Sequence, residues 1–170
     1  MRSGSRPSRT PSVGLSALRT PEGGRKYKIN EPFEPVLTVE SGVTSKKEVV
    51  YLLVSNRPER YPRGRSRIVY VGRTRNGIKR IAASAANKIT EALENLRGVR
   101  RLRAFIVWTN PLAKERRHLP YVLERAILLS FRQEFGTVPR LNRQGIRIRI
   151  KDEFAYFRER AVHRIVIRYS

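Results

Sequence analysis

The chain has no cysteine, little acid and almost no histidine. Its 170 residues contain 14 Asp and Glu, two His, and 37 Lys and Arg, which gives a formal net charge of +23 at pH 7. The absence of cysteine excludes a disulfide scaffold, thiolate metal ligands and thiol catalysis. No run approaches the roughly 18 apolar residues of a membrane-spanning helix, so no membrane partner is expected.

The residues that are present favour a folded, phosphate-binding protein. Hydrophobic residues make up 39% of the chain, enough for a packed core, and 170 residues suit one domain with charged additions. The basic excess consists of 29 Arg and 8 Lys. Because the planar guanidinium matches phosphate oxygens two at a time, this bias predicts a nucleic-acid partner.

The positive charge is spread along the whole chain. Residues 1–30 carry +6 and are rich in Ser, Gly and Pro, which predicts a disordered basic arm. A transit peptide is the less favoured alternative, because Pro7 and Pro11 interrupt a helix, and cytoplasm is the default compartment. Residues 31–142 carry +12 and residues 143–170 carry +5, so the predicted folded part is itself basic.

Three apolar runs rich in β-branched and aromatic residues predict strands. They are Glu48–Val54, Arg67–Gly72 and Leu102–Trp108. Between the first two, Ser55–Ser66 contains Pro58, Pro62 and several arginines, which predicts a hairpin with a long basic loop.

Two helices are predicted from apolar residues at helical spacing, one from Ile78 to about Gly98 and one from Asn110–Pro111 to about Gly136. After them, isoleucines alternate with basic residues over 146–151, which predicts a strand, and Val162–Tyr169 is a further candidate strand.

The resulting fold class is α/β (α+β). We expect a small three-stranded sheet in β-β-α-β-α order flanked by helices, with the core domain over residues 46–142. Residues 143–170 are predicted to form a basic C-terminal β extension that packs on the same domain.

An ordered set of residues lies on this scaffold. Val49-Val50-Tyr51 ends in a tyrosine, and Tyr70-Val71-Gly72 begins with one and continues into Arg73-Thr74. Arg80 follows early in the first helix, Glu124 lies in the second, and Asn142 follows Pro139 by three residues. In this order the residues resemble the GIY-YIG nuclease domain over roughly Glu48–Asn142, a little over half of the chain.

The resemblance implies a Mg²⁺- or Mn²⁺-dependent endonuclease that hydrolyses DNA phosphodiester bonds. Tyr51 or Tyr70 would prepare the attacking water, helped by positive charge from Arg73, Arg80 and a bound cation that favours a phenolate. Arg80 would hold the scissile phosphate and Glu124 would be the metal ligand. Asn142, by resemblance, would support the site through hydrogen bonds.

The chain also departs from the family pattern. Ser84 stands where the family often has His, Arg73 stands where it often has Lys, and the two motif tyrosines are further apart than in a minimal domain. The long spacing resembles the restriction-endonuclease branch of the family.

The DNA-contact candidates are basic residues of the hairpin, of the segment after it and of the C-terminal extension: Arg57, Arg60, Arg63, Arg65, Arg67, Arg75, Lys79, Arg147, Arg149 and Lys151. Their one-sided charge makes counterion release a driving force for binding. Double-stranded DNA is the favoured partner, RNA is the alternative, and a homodimer on DNA is left open.

Two other classes compete with the nuclease hypothesis. One is a catalytically inactive nucleic-acid-binding protein on the same scaffold, for which Ser84 is the main argument. The other is a ribosomal-type protein, which the composition permits but which does not explain the ordered motif. The target sequence and the biological role, whether restriction, repair or homing, stay open.

Overall fold

A long antiparallel hairpin forms the centre of the fold. The computed structural model describes residues 28–31, 37–38, 48–109, 119–143 and 153–170. Strand β3 (Val49–Tyr61) pairs with β4 (Gly64–Thr74), and only Pro62 and Arg63 separate them. The predicted long loop over Ser55–Ser66 is therefore wrong. Proline usually indicates a loop, because it cannot donate a ladder hydrogen bond. Here the strand pairing is irregular between Val54 and Glu59, so Pro58 is accommodated within β3.

The sheet is four strands wide, one more than predicted. Strand β5 (Leu102–Thr109) lies antiparallel to β3, and two short strands, β1 (Ile29–Asn30) and β2 (Leu37–Thr38), pair with the other edge of β5. The three predicted strands thus form the order β5-β3-β4. Residues 29–30, placed in the disordered arm by the sequence, form β1, and residues 1–27 lie outside the described part.

The helices flank this sheet. Among the described residues they are α1 (Gly77–Asn95), α2 (Leu119–Phe135), the short α3 (Glu153–Tyr156) and α4 (Glu159–Tyr169). The first two confirm the predicted helices, although residues 110–118 lie outside the described part. None of the described helices is long and apolar enough to cross a membrane.

The C-terminal segment differs from its prediction. The candidate strand over Val162–Tyr169 is wrong, because these residues belong to helix α4. Val162, Ile165, Val166 and Tyr169 are buried at intervals of three or four, which is helical spacing. The alternating segment over 146–151 lies outside the described residues.

Alternation along β3 sends its side chains into two separate cores. Val50 and Leu52 pack with residues of α2 and α4 on one face of the sheet. Val49, Tyr51 and Leu53 pack with residues of α1 on the other face. Helices therefore cover both faces, and Tyr51 points to the α1 side.

Tyr61 is expected to make the fold less stable at alkaline pH. It is 7% exposed, its hydroxyl donates to the Ile68 carbonyl oxygen at 2.8 Å, and burial raises the pKa of Tyr61 to about 12. A tyrosine of the unfolded chain ionises near pH ~10. Between these values the unfolded state releases the proton first, so we expect the free energy of unfolding to fall by about 3 kcal/mol as pH rises from about 10 to about 12.

Urea unfolding of the wild type and Tyr61→Phe at several alkaline pH values measures this effect. Phe cannot ionise, so the variant is expected to lose less stability than the wild type across the same pH range. Tyr169, whose pKa burial also raises to about 12, is present in both proteins and cancels in the comparison. Parallel pH profiles would contradict the assignment to Tyr61.

Candidate functional site

Two tyrosines meet on the α1 side of the hairpin. Tyr51 of β3 pairs with Gly72 of β4, and Leu53 pairs with Tyr70, so Tyr51 and Tyr70 are diagonal neighbours on one face. Their ring centroids are 5.8 Å apart, with the ring planes tilted by 43°. We call these two residues the tyrosine pair. The sequence predicted this juxtaposition from the strand assignments alone.

Gly72 provides the space in which the two rings meet. A Cβ atom at this position would lie 2.6 Å from Cε1 of Tyr70 and 2.8 Å from both Cζ and the hydroxyl oxygen of Tyr51. Real Cβ atoms do not approach other atoms so closely, so any larger residue would displace the tyrosine pair. The glycine of the motif is needed here for close approach of side chains.

The two phenols have different access to solvent. Tyr51 is 2% exposed, whereas Tyr70 is partly exposed and hydrogen-bonds to Tyr51. Burial raises the pKa of Tyr70, Tyr51 and the Glu124 carboxylate raise it further, and the Arg80 guanidinium only partly opposes them. Arg80 acts in the expected direction, because it favours the phenolate, but burial dominates the pKa of Tyr70 in the free protein. Tyr70 is a protonated hydrogen-bond donor near neutral pH.

Helix α1 places two cationic side chains near the tyrosine pair. Arg80 lies in the first turn, is exposed and acts electrostatically on Tyr70. Lys88, eight residues later, places Nζ 5.2 Å from the centroid of the Tyr70 ring and donates to the Leu141 carbonyl oxygen at 3.1 Å. Sequence reasoning missed Lys88, although its i+8 spacing from Arg80 put it on the same helix face.

Glu124 and Arg73 form a direct ion pair. Arg73 Nε lies 2.9 Å from Glu124 Oε2, and the side chains are 38% and 20% exposed. Arg73 also lies over the Tyr121 ring of α2, with its guanidinium carbon 5.0 Å from the centroid. Its neighbour Gly72 faces the tyrosine pair, so alternation turns Arg73 to the α2 side of the sheet. The charge of Arg73 therefore acts on Glu124.

The carboxylate of Glu124 suits a cation beyond Arg73. Burial raises the pKa of Glu124 and outweighs the lowering by Arg73, so a second cation would stabilise the ionised carboxylate further. Within the described ranges no three His, Cys, Asp or Glu side chains cluster around a common point. One partly exposed carboxylate fits Mg²⁺, which keeps several waters and takes few protein ligands.

Asn142 is bonded to the strand that carries Tyr70. Its Oδ1 accepts from the Val71 backbone N–H at 2.9 Å, and its Nδ2 donates to the Val71 carbonyl oxygen at 2.7 Å. The Leu141 N–H donates to the Val69 carbonyl oxygen at 2.9 Å. The segment that contains Asn142 therefore protects the edge of β4 and holds Val71, between Tyr70 and Gly72, in place.

The predicted DNA-contact residues divide into three groups. Five are exposed on the hairpin: Arg57, Arg60, Arg63, Arg65 and Arg67. Arg75 is exposed just before α1, and Lys79 lies within α1. Arg147, Arg149 and Lys151 lie outside the described residues.

No protein-family model, no curated protein and no solved structure matches this chain. The case for its function therefore depends on the chemistry and geometry of the site.

Proposed function

We propose that this protein is a metal-dependent endonuclease of the GIY-YIG type that hydrolyses DNA phosphodiester bonds. The observation that carries the proposal is the arrangement around Tyr70. Its ring touches Tyr51 over a glycine that makes room for both. The side chains of Glu124 and Arg80, from two different helices, both act electrostatically on it.

The roles of the side chains follow from their exposure and charge. Tyr70 is the accessible member of the pair, and as a protonated phenol it donates a hydrogen bond to a phosphate oxygen. Tyr51 is buried and holds Tyr70 in position. Arg80 is permanently charged and stabilises the negative charge that develops on the phosphate. Water adds to phosphorus, the bond to one ester oxygen breaks, and a proton from the water ends on that departing oxygen, which gives a phosphate monoester and a free hydroxyl.

Glu124 would hold Mg²⁺. When bound, the ion polarises the phosphate and stabilises the leaving oxygen. Arg73 orients the Glu124 carboxylate in the free protein and opposes part of the effect of burial on its pKa, since their nitrogen and oxygen atoms lie 2.9 Å apart. Asn142 supports the site through the backbone of Val71.

A binding protein without catalytic activity is the second candidate, and the Arg73–Glu124 ion pair favours it. In that arrangement the carboxylate serves a structural partner, and Ser84 replaces the histidine that the family often has. The five exposed hairpin arginines would serve such a protein equally well.

Arg80→Gln separates the two candidates. Under single-turnover conditions with Mg²⁺, we expect the cleavage rate of a labelled duplex to fall by about 100-fold, because one stabilising donor is lost. DNA affinity should change by less than about threefold, since Arg80 is one charge among many. Arg160→Gln, an exposed arginine on α4, is the matched control and should cleave normally. DNA binding by the wild type without any cleavage would favour the second candidate.

A further inference from the structure

A cavity of about 320 Å³ opens where the middle of β3 and the C-terminal end of α4 meet the start of β5. Val54, Phe105 and Tyr169 supply apolar surface, and among the residues that the structure describes no Asp or Glu side chain lines the cavity. Four arginines line it: Arg67, Arg101, Arg103 and Arg168. We call it the arginine cavity. Several guanidinium groups around one concave surface suit an anion, because each can donate two hydrogen bonds to its oxygens.

Three of these arginines are uncompensated. Arg168 Nη1 is paired with Glu31 Oε1 at 2.7 Å. Over the described ranges of the chain, no acidic side chain forms an ion pair with Arg67, Arg101 or Arg103. All three are exposed, so they present guanidinium groups to an incoming anion.

The backbone around Arg101 is held in place. Asn56 Oδ1 accepts from the N–H groups of Arg100 at 2.9 Å and Arg101 at 3.1 Å, and the Asn56 N–H donates to the Arg101 carbonyl oxygen at 3.1 Å. These bonds tie the segment before β5 to β3. The cavity is therefore built on the central sheet, so that its wall is preorganised.

The arginine cavity is separate from the tyrosine pair. Val54, Phe105 and Tyr169 belong to the core on the α2 and α4 side of the sheet, whereas Tyr51 belongs to the core on the α1 side. A phosphate in this cavity is thus on the opposite face of the sheet from the tyrosine pair.

The surroundings favour a polymer over a small anion. Arg57, Arg97 and Arg100 are exposed in the segments next to the cavity. A Cβ at Gly98 would lie 2.8 Å from Arg57 Nη1, which shows that Arg57 lies against the loop between α1 and β5. One phosphate ester would not need this continuous set of cations, whereas a nucleic-acid backbone presents a phosphate at every residue.

We propose that the arginine cavity binds a backbone phosphate of a nucleic-acid strand, as a second contact site distinct from the tyrosine pair. The inference deepens the proposed function, in that it takes nucleic acid as the ligand, but it does not require cleavage. Arg101 and Arg103 were not among the predicted DNA contacts, because in sequence they are two charges beside a strand.

The test measures binding with chelator present, so that cleavage does not enter. Fluorescence anisotropy with a short labelled duplex and a labelled single strand compares the wild type with Arg101→Gln/Arg103→Gln. We expect about a tenfold loss of affinity and a salt slope smaller by about 1.8, as for two lost phosphate contacts. The matched control is Arg160→Gln/Arg164→Gln, which removes the same charge from exposed positions of α4.

Two results would overturn the proposal. Equal losses in the cavity variant and the α4 control would show that only total charge matters. If AMP or inorganic phosphate bound the wild type but not the cavity variant, while both bound DNA equally, the cavity would take small phosphate esters. Thermal unfolding shows that each variant is folded. Because binding is measured without cleavage, the cavity can be shown to bind DNA even if the protein proves not to be a nuclease. Failure of this proposal and failure of the proposed function are therefore distinguishable.

Discussion

If Glu124 is the metal ligand that we propose, Glu124→Gln should lower the rate of Mg²⁺-dependent DNA cleavage by about 100-fold or more. The fold should be retained. Burial raises the pKa of Glu124, so a neutral side chain of the same shape suits this position, and Arg73 is 38% exposed and can be solvated when unpaired. The free energy of unfolding should change by less than about 1 kcal/mol.

Glu134→Gln is the matched control for this experiment. Glu134 lies ten residues after Glu124 on the same helix, and its side chain is 41% exposed. Its Oε2 lies 4.0 Å from Nε2 of His163. This variant should cleave like the wild type. The assignment of Glu124 fails if both variants cleave equally well, or if Glu124→Gln loses activity only through loss of the folded state. Thermal unfolding and single-turnover cleavage together distinguish these outcomes.

Gly72→Ala is expected to separate the tyrosine pair and to lower cleavage by about 100-fold, the effect of a displacement of roughly 1 Å in an active site. The added Cβ would lie 2.6 Å from Cε1 of Tyr70 and 2.8 Å from the Tyr51 hydroxyl oxygen. Tyr51 is only 2% exposed and has little room to move. Overpacking of this kind should also lower the free energy of unfolding by about 1–3 kcal/mol.

Val71→Ala tests whether the loss of activity follows from the tyrosines or from instability. Val71 directly precedes Gly72 in β4 and is fully buried. It packs in the core on the face of the sheet opposite the tyrosine pair. Its truncation should cost stability without touching the tyrosine pair. At a temperature where both variants are folded, only Gly72→Ala should lose cleavage. Similar cleavage defects in both variants would contradict the role of Gly72.

The sequence was sufficient for the elements whose apolar pattern decides their structure. The central strands and helices α1 and α2 were predicted because buried positions recur at the spacing of each element. The hairpin is longer than predicted, because Pro58 and Pro62 favour a loop in the sequence. In the structure an irregular pairing accommodates Pro58, and Pro62 lies in the turn. Helix α4 was mistaken for a strand, because a short apolar run fits either structure until its packing partners are known.

The candidate site was predicted as a set of residues, but its electrostatics required the structure. The sequence could not show that Arg73 turns toward α2 and forms an ion pair with Glu124. Nor could it show that burial leaves Tyr70 protonated. Asn142 has a defined role only because its amide meets the backbone of Val71, 71 residues earlier. The arginine cavity depends on residues from β3, β4, β5 and α4, which no local pattern connects.

The most direct test of the central claim is incubation of the wild-type protein with supercoiled plasmid in the presence of Mg²⁺ or of a chelator. If the tyrosine pair, Arg80 and Glu124 form one hydrolytic site, nicked or linear DNA should appear with Mg²⁺ and not with chelator. Conversion that is independent of metal, or no conversion by protein that binds the plasmid, would contradict the account.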